Sequence, residues 1–130
     1  MPAANALLID AGVLIDYLRG QPRALAYLRV AHGSFKVSCL TLAELYVRIR
    51  DGAERDVLLR LESLLEPIEV DRDIAVQAGL FRRDYGKSHG TRLVDAVIAA
   101  TALASRSTLV TLNARHFPML AGVIIPYRKL

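Results

Sequence analysis

A single cysteine, no tryptophan and only eight aromatic residues (five tyrosines, three phenylalanines) set the first limits on this 130-residue chain. Cys39 alone cannot close an internal disulfide, so a disulfide-stapled secreted scaffold is excluded. So few aromatic rings leave no extensive platform for stacking bases. No apolar run is long enough to cross a bilayer; the longest, around Val94–Ala104, reads as a buried helix. The opening MPAANALLID lacks the basic flank and long apolar stretch of a signal peptide, so cytoplasmic residence is the expectation. Repeats, low-complexity tracts and long linkers are also missing, which points to one domain over residues 1–130. One further absence is local: no Asp or Glu follows Asp95.

What is there is mostly apolar. Hydrophobic residues make up 53%, with mean hydropathy +0.30, enough to build a real core. The net charge of +4 is unevenly placed. Residues 1–95 carry 13 basic and 13 acidic side chains and sum to zero. The excess is Arg106, Arg115, Arg128 and Lys129. That leans toward a polyanionic partner, although charge alone is equally consistent with a solvated face.

Short apolar runs alternate with helical patterns. Ala6–Ile9, Phe35–Leu40, Ile68–Val70, Leu109–Leu112 and Val123–Ile125 read as extended segments. Between them Val13–Leu18 follows the first strand, and Pro22 opens a helix over Arg23–Ala31 that His32-Gly33-Ser34 stops. Thr41 and Glu44 have capping-box spacing for a helix over Leu42–Arg50. Further helices are expected over Glu54–Leu65, Arg72–Tyr85 and Leu93–Ser105, with Gly86–Gly90 as a polar loop and Arg115–Leu120 as a turn or short helix. Such alternation predicts an α/β fold, a short parallel sheet with helices on both faces. Ligands of such sheets bind where the strands end and the helices begin.

Three carboxylates stand where core-building residues are expected. Asp10 ends the first strand, Glu44 interrupts an apolar helix, and Asp95 is the one charge in LVDAVIAATALAS. Each has a plain alternative: Asp10 as a helix cap, Glu44 as half of a capping box, Asp95 as a charge at a helix's positive end. Brought together at one sheet edge, they would repel one another in a half-buried pocket. A hard divalent cation relieves that repulsion, and Mg²⁺ with oxygen ligands suits phosphoryl chemistry.

The segments LLIDAGVLIDYLRG (Leu7–Gly20), TLAELYVR (Thr41–Arg48), LVDAVIAATAL (Leu93–Leu103) and TLNARHFPML (Thr111–Leu120) resemble PIN domains, in order and register over nearly the whole chain. Within that family they most resemble VapC-type toxins of toxin–antitoxin pairs. The resemblance implies a three-layer α/β/α sandwich with a central first strand. It implies an endoribonuclease dependent on Mg²⁺ or Mn²⁺; whether its RNA substrate is tRNA, rRNA or mRNA stays open. Asp10, Glu44 and Asp95 would be the metal-binding acids. Asn113 would join them in catalysis, and Thr111 would shape the site. A VapB-like antitoxin and a homodimer are implied as partners, and no membrane. Arg82, Arg83, Lys87 and Arg92, with the C-terminal basic residues, would guide RNA phosphates.

The chain departs from the family pattern in two places. A fourth acid is replaced by Asn113 or His116, which leaves open whether one metal or two would bind. His116 reads as a packing or hydrogen-bonding residue, since hard Mg²⁺ prefers oxygen. Ala11 and Gly12 stand where Thr or Ser is frequent. Asp16 reads as a surface acid on an amphipathic helix, with an outer place in the site as the alternative. Two other readings stay open: a receiver-like signalling domain, which shares an acidic pocket on a doubly wound sheet, and a catalytically silent PIN-like module that only binds.

Overall fold

In the computed structural model, residues 6–31 and 33–128 are described. The expected helix stop at His32 and the basic Lys129 lie outside them, as does most of the N-terminal segment. The elements run β1 (Ala6–Ile9), α1 (Ala11–Leu18), α2 (Pro22–Val30), β2 (Ser34–Ser38), α3 (Cys39–Arg48), α4 (Ala53–Glu62), β3 (Glu66–Ile68), α5 (Arg72–His89), α6 (Leu93–Ala104) and β4 (Thr108–Val110). A 3-10 turn follows at Ala114–His116. All strand pairs are parallel, in the order β3-β2-β1-β4. The first strand is therefore interior, as expected.

Alternation along β1 divides the core in two. Leu7 and Ile9 pack with Val13, Leu14, Val37, Leu45 and Leu58 on the α1–α4 side. Leu8, fully buried, faces Ile98, Ala99, Ala102 and Phe117 on the other. Burying one such leucine is worth about 1.5–3 kcal/mol, so the two-sided strand anchors both layers. The alanines of α6 allow close approach: Ala96 and Ala100 meet Ile74 and Ala78 of α5. No helix among the described residues is long and apolar enough to cross a membrane.

Four local expectations change. Ser38, not Thr41, caps α3, its Oγ accepting from Leu40 N at 3.1 Å. Thr41 lies inside the helix and is fully buried, so no capping box joins it to Glu44. The α5 helix continues through the expected loop to His89, because Gly90, with φ +65°, supplies the left-handed stop. Gly86 is tolerated inside that helix, where the Arg82 guanidinium lies over its missing Cβ. Strand β3 begins two residues early and includes Pro67, which an edge strand accepts because one side of it carries no ladder. The expected last strand shrinks to one parallel bridge between Val110 and Ile124.

Candidate active site

A parallel sheet sends the carboxyl ends of its strands to one edge, and α1 and α3 start there directly after β1 and β2. Asp10 sits at that junction. One carboxylate oxygen accepts from Ala11 N at 2.9 Å, capping α1. The other accepts from the hydroxyl of Thr111 at 2.7 Å, just beyond β4. Thr111 Oγ1 in turn accepts from Asn113 N at 3.1 Å. A buried threonine thus fixes Asp10 and the turn bearing Asn113 together.

Helix α6 brings the third acid from a distant part of the chain. Thr91, buried, donates its hydroxyl to His116 O at 2.8 Å and ties the start of α6 to the 3-10 turn. Asp95 is 4% exposed. Its Oδ2 accepts from Arg92 N at 3.0 Å, which satisfies the helix start. The Arg92 guanidinium grips both carboxylate oxygens, Nε to Oδ2 at 3.1 Å and Nη2 to Oδ1 at 3.0 Å. His116 Nδ1 stands 3.3 Å from Asp95 Oδ2 yet without hydrogen-bond alignment, and that buried nitrogen has no partner.

The electrostatics show that the three acids share one field. Burial pushes the Asp10 carboxyl up, the nearby Asp95 charge adds to this, and the Thr111 and Ala11 hydrogen bonds and Arg92 oppose it. Glu44, half-buried on α3, is also pushed up, first by burial, then by Asp10, with a further contribution from Asp95. Arg92 and Arg48 act against that rise. Asp10 and Glu44, made harder to ionise by burial and by neighbouring acid charge, carry a recognised mark of functional sites.

The three are neighbours without being a ready-made cage. Among the described residues, no group of three His, Cys, Asp or Glu side chains is placed to hold a metal ion. The donor chemistry nonetheless suits a hard cation: the acids offer oxygen only, and Mg²⁺ keeps most of its waters and needs one or two carboxylates. The residues therefore fit such an ion, with Arg92 holding the position of countercharge.

Next to Asp10 lies a polar cleft of about 400 Å³, bordered by Gly12, Asn113, Ile125, Tyr127 and Arg128. Of the C-terminal basic residues described, Arg128 is the one that lines it. A Cβ on Gly12 would make ordinary contact with Leu112 Cδ1 at 3.5 Å, so the missing family hydroxyl is not excluded by space. Asp16 corrects an expectation: it is buried, 6% exposed, and accepts from the Tyr127 hydroxyl at 2.8 Å. The pairing spans 111 positions, which no local pattern reveals. Sequence reasoning also missed Thr91 and the grip of Arg92 on Asp95; the latter was signalled by their i,i+3 spacing.

The PIN domain family profile matches residues 7–122. Ribonuclease VapC19 of Mycobacterium tuberculosis is 36% identical over 127 residues, covering 92% of this chain and 98% of that protein. Ribonuclease VapC10 of the same organism is 37% identical over 125 residues, with 93% and 92% covered. Among solved structures, a toxin–antitoxin complex from Klebsiella pneumoniae aligns with TM-score 0.82 at 28% identity, over 95% of this chain and 99% of that one. The chain belongs to the PIN-domain family, in its VapC-type branch. The family match displaces the receiver-like alternative.

Proposed function

We propose that the protein is an endoribonuclease dependent on Mg²⁺ or Mn²⁺, the toxin of a VapBC-type pair. The observation that carries this is the shared electrostatic field of Asp10, Glu44 and Asp95, with the Asp10 and Glu44 carboxyls raised mainly by burial, beside a polar cleft holding an arginine. Relatives named ribonucleases support it.

When bound, the cation supplies an activated water and neutralises charge on the phosphodiester. Asp10 and Asp95 would hold it, with Glu44 completing the set from α3. Thr111 fixes the Asp10 carboxylate so that its remaining lone pairs keep one direction. Asn113, exposed on the turn beside the cleft, would orient a water or phosphate oxygen through its side-chain amide. Arg128 would bind an RNA phosphate at the cleft, a contact that gives affinity and positions the chain without reading sequence.

A partner surface lies apart from the acids. An apolar groove of about 210 Å³ between α1, α3 and α4 is lined by Ile15, Leu18, Leu45, Ile49 and Val57, with Arg48 and Glu54 also bordering it. This suits an amphipathic antitoxin helix, and the structural relative from Klebsiella pneumoniae is a toxin–antitoxin complex. Homodimerisation and cytoplasmic residence are part of the same proposal. Val57→Asp is expected to weaken antitoxin binding at least about tenfold and leave RNA cleavage unchanged, measured by calorimetry and a cleavage assay.

The direct test of activity is cleavage of total RNA by antitoxin-free protein with Mn²⁺. Asp95→Ala is expected to abolish it, as is excess EDTA. Equal cleavage by the variant, or in EDTA, would overturn the proposal. The silent-module reading keeps one observation in its favour, the absence of a ready-made metal cage among the described residues. Lack of any Mn²⁺ binding by the wild type at millimolar concentration would select it.

A further inference from the structure

The proposed metal site already contains a cation, and it belongs to the chain. We propose that Arg92 is the resident counter-ion of Asp95 and that it competes with the divalent cation for that carboxylate. The inference rests on the metal-binding reading above and adds a regulatory element to it.

The geometry is specific. Both Asp95 oxygens are taken by the guanidinium fork, at 3.0 and 3.1 Å, and Oδ2 also accepts the Arg92 main-chain N–H. A divalent ion needs at least one of those oxygens with its lone pairs directed at the metal. The guanidinium contributes favourably to Glu44 and Asp10 as well, so it lies in the field of all three acids. Arg92 therefore opposes a cation twice, by occupying ligand atoms and by placing a positive charge where a second would go.

The two partners are unequal in freedom. The Asp95 side chain is 6% exposed, whereas that of Arg92 is 65% exposed. The carboxylate is fixed by its helix and by burial, and the guanidinium has solvent to move into. An ion pair with one partner so exposed is readily exchanged. A buried carboxylate left alone beside two others is not tolerated, so release of Arg92 and entry of the metal are coupled events. The expected consequence is a site whose metal affinity is held down until the arginine lets go, the usual effect of a competing occupied state.

The test is calorimetric titration of Mn²⁺ into wild type, Arg92→Gln and Arg92→Lys at one ionic strength, with thermal midpoints taken with and without Mn²⁺. Arg92→Gln is expected to bind Mn²⁺ on the order of tenfold more tightly, because the competing occupied state is removed. It is also expected to melt lower than wild type without metal, and to gain more from Mn²⁺. Arg92→Lys, which keeps the charge and loses the fork, is expected to fall between, and it carries the test if the glutamine variant does not fold. Affinity equal to or weaker than wild type in both variants would overturn the competition while leaving the metal site intact. Absence of Mn²⁺ binding in all three proteins would instead overturn the metal-binding reading itself.

Discussion

Asp10 caps the start of α1 and Asp16 lies near its end, and the two shielded carboxylates differ in what surrounds them. At the far end, Asp16 is more deeply buried, 6% exposed, and meets the Tyr127 hydroxyl from the last described turn of chain. Burial and this pairing push Tyr127 toward remaining protonated, which keeps it a donor. At the near end, Asp10 has two donors of its own, Ala11 N and Thr111 Oγ1. It also shares its field with Glu44 and Asp95. Burial alone does not distinguish a site residue from a structural one. We propose that the other acids in the field of Asp10 mark it for the cation site.

That contrast can be broken at either end. The largest expected effect is on catalysis: Asp10→Asn, which keeps shape and removes charge, should lower RNA cleavage on the order of 10³-fold or more. Asp16→Ala should leave cleavage per folded molecule within about twofold of wild type and cost about 1–3 kcal/mol of stability, read by urea denaturation, because the Tyr127 hydroxyl loses its acceptor. A loss of cleavage in Asp16→Ala comparable to that in Asp10→Asn would erase the distinction.

The smallest effect concerns pH. Asp10 and Glu44 have carboxyls raised above their ordinary values of 3.8 and 4.5. A raised acid binds protons more readily in the folded state, so its stabilising contribution is full below the ordinary value and is lost as pH climbs through the raised one. Metal-free Asp10→Asn should therefore match wild type in thermal midpoint in acid and exceed it by about 2–5 °C at pH 8. Saturating Mn²⁺ should remove that advantage by stabilising wild type alone. A midpoint difference that is constant across pH would show that the Asp10 charge carries no such penalty.

Much of this arrangement was legible in the residues. The strand ending in Asp10 and the apolar helix carrying Asp95 are strong local patterns, and acids inside them are conspicuous. Parallel topology followed from short two-sided apolar strands alternating with helices. What escaped was set by tertiary contact or by competing local chemistry. Ser38 outcompetes Thr41 as a cap because β2 ends there and delivers a free hydroxyl to Leu40 N. Gly86 reads as a loop residue, yet the helix passes through it and stops at Gly90. Asp16 looks solvated until Tyr127 returns across α1, a contact 111 residues away in sequence. Arg92 reads as one basic residue among several near Asp95, and only the structure shows its guanidinium turned inward onto the acid.

We propose that Asp10 belongs to a cation site with Glu44 and Asp95, whereas Asp16 serves the fold. Calorimetric titration of Mn²⁺ into wild type, Asp10→Asn and Asp16→Asn tests it in one series. The expected result is a saturable site in wild type and Asp16→Asn, and none in Asp10→Asn. Equal binding by all three proteins, or binding lost with Asp16 and retained without the Asp10 charge, would contradict it.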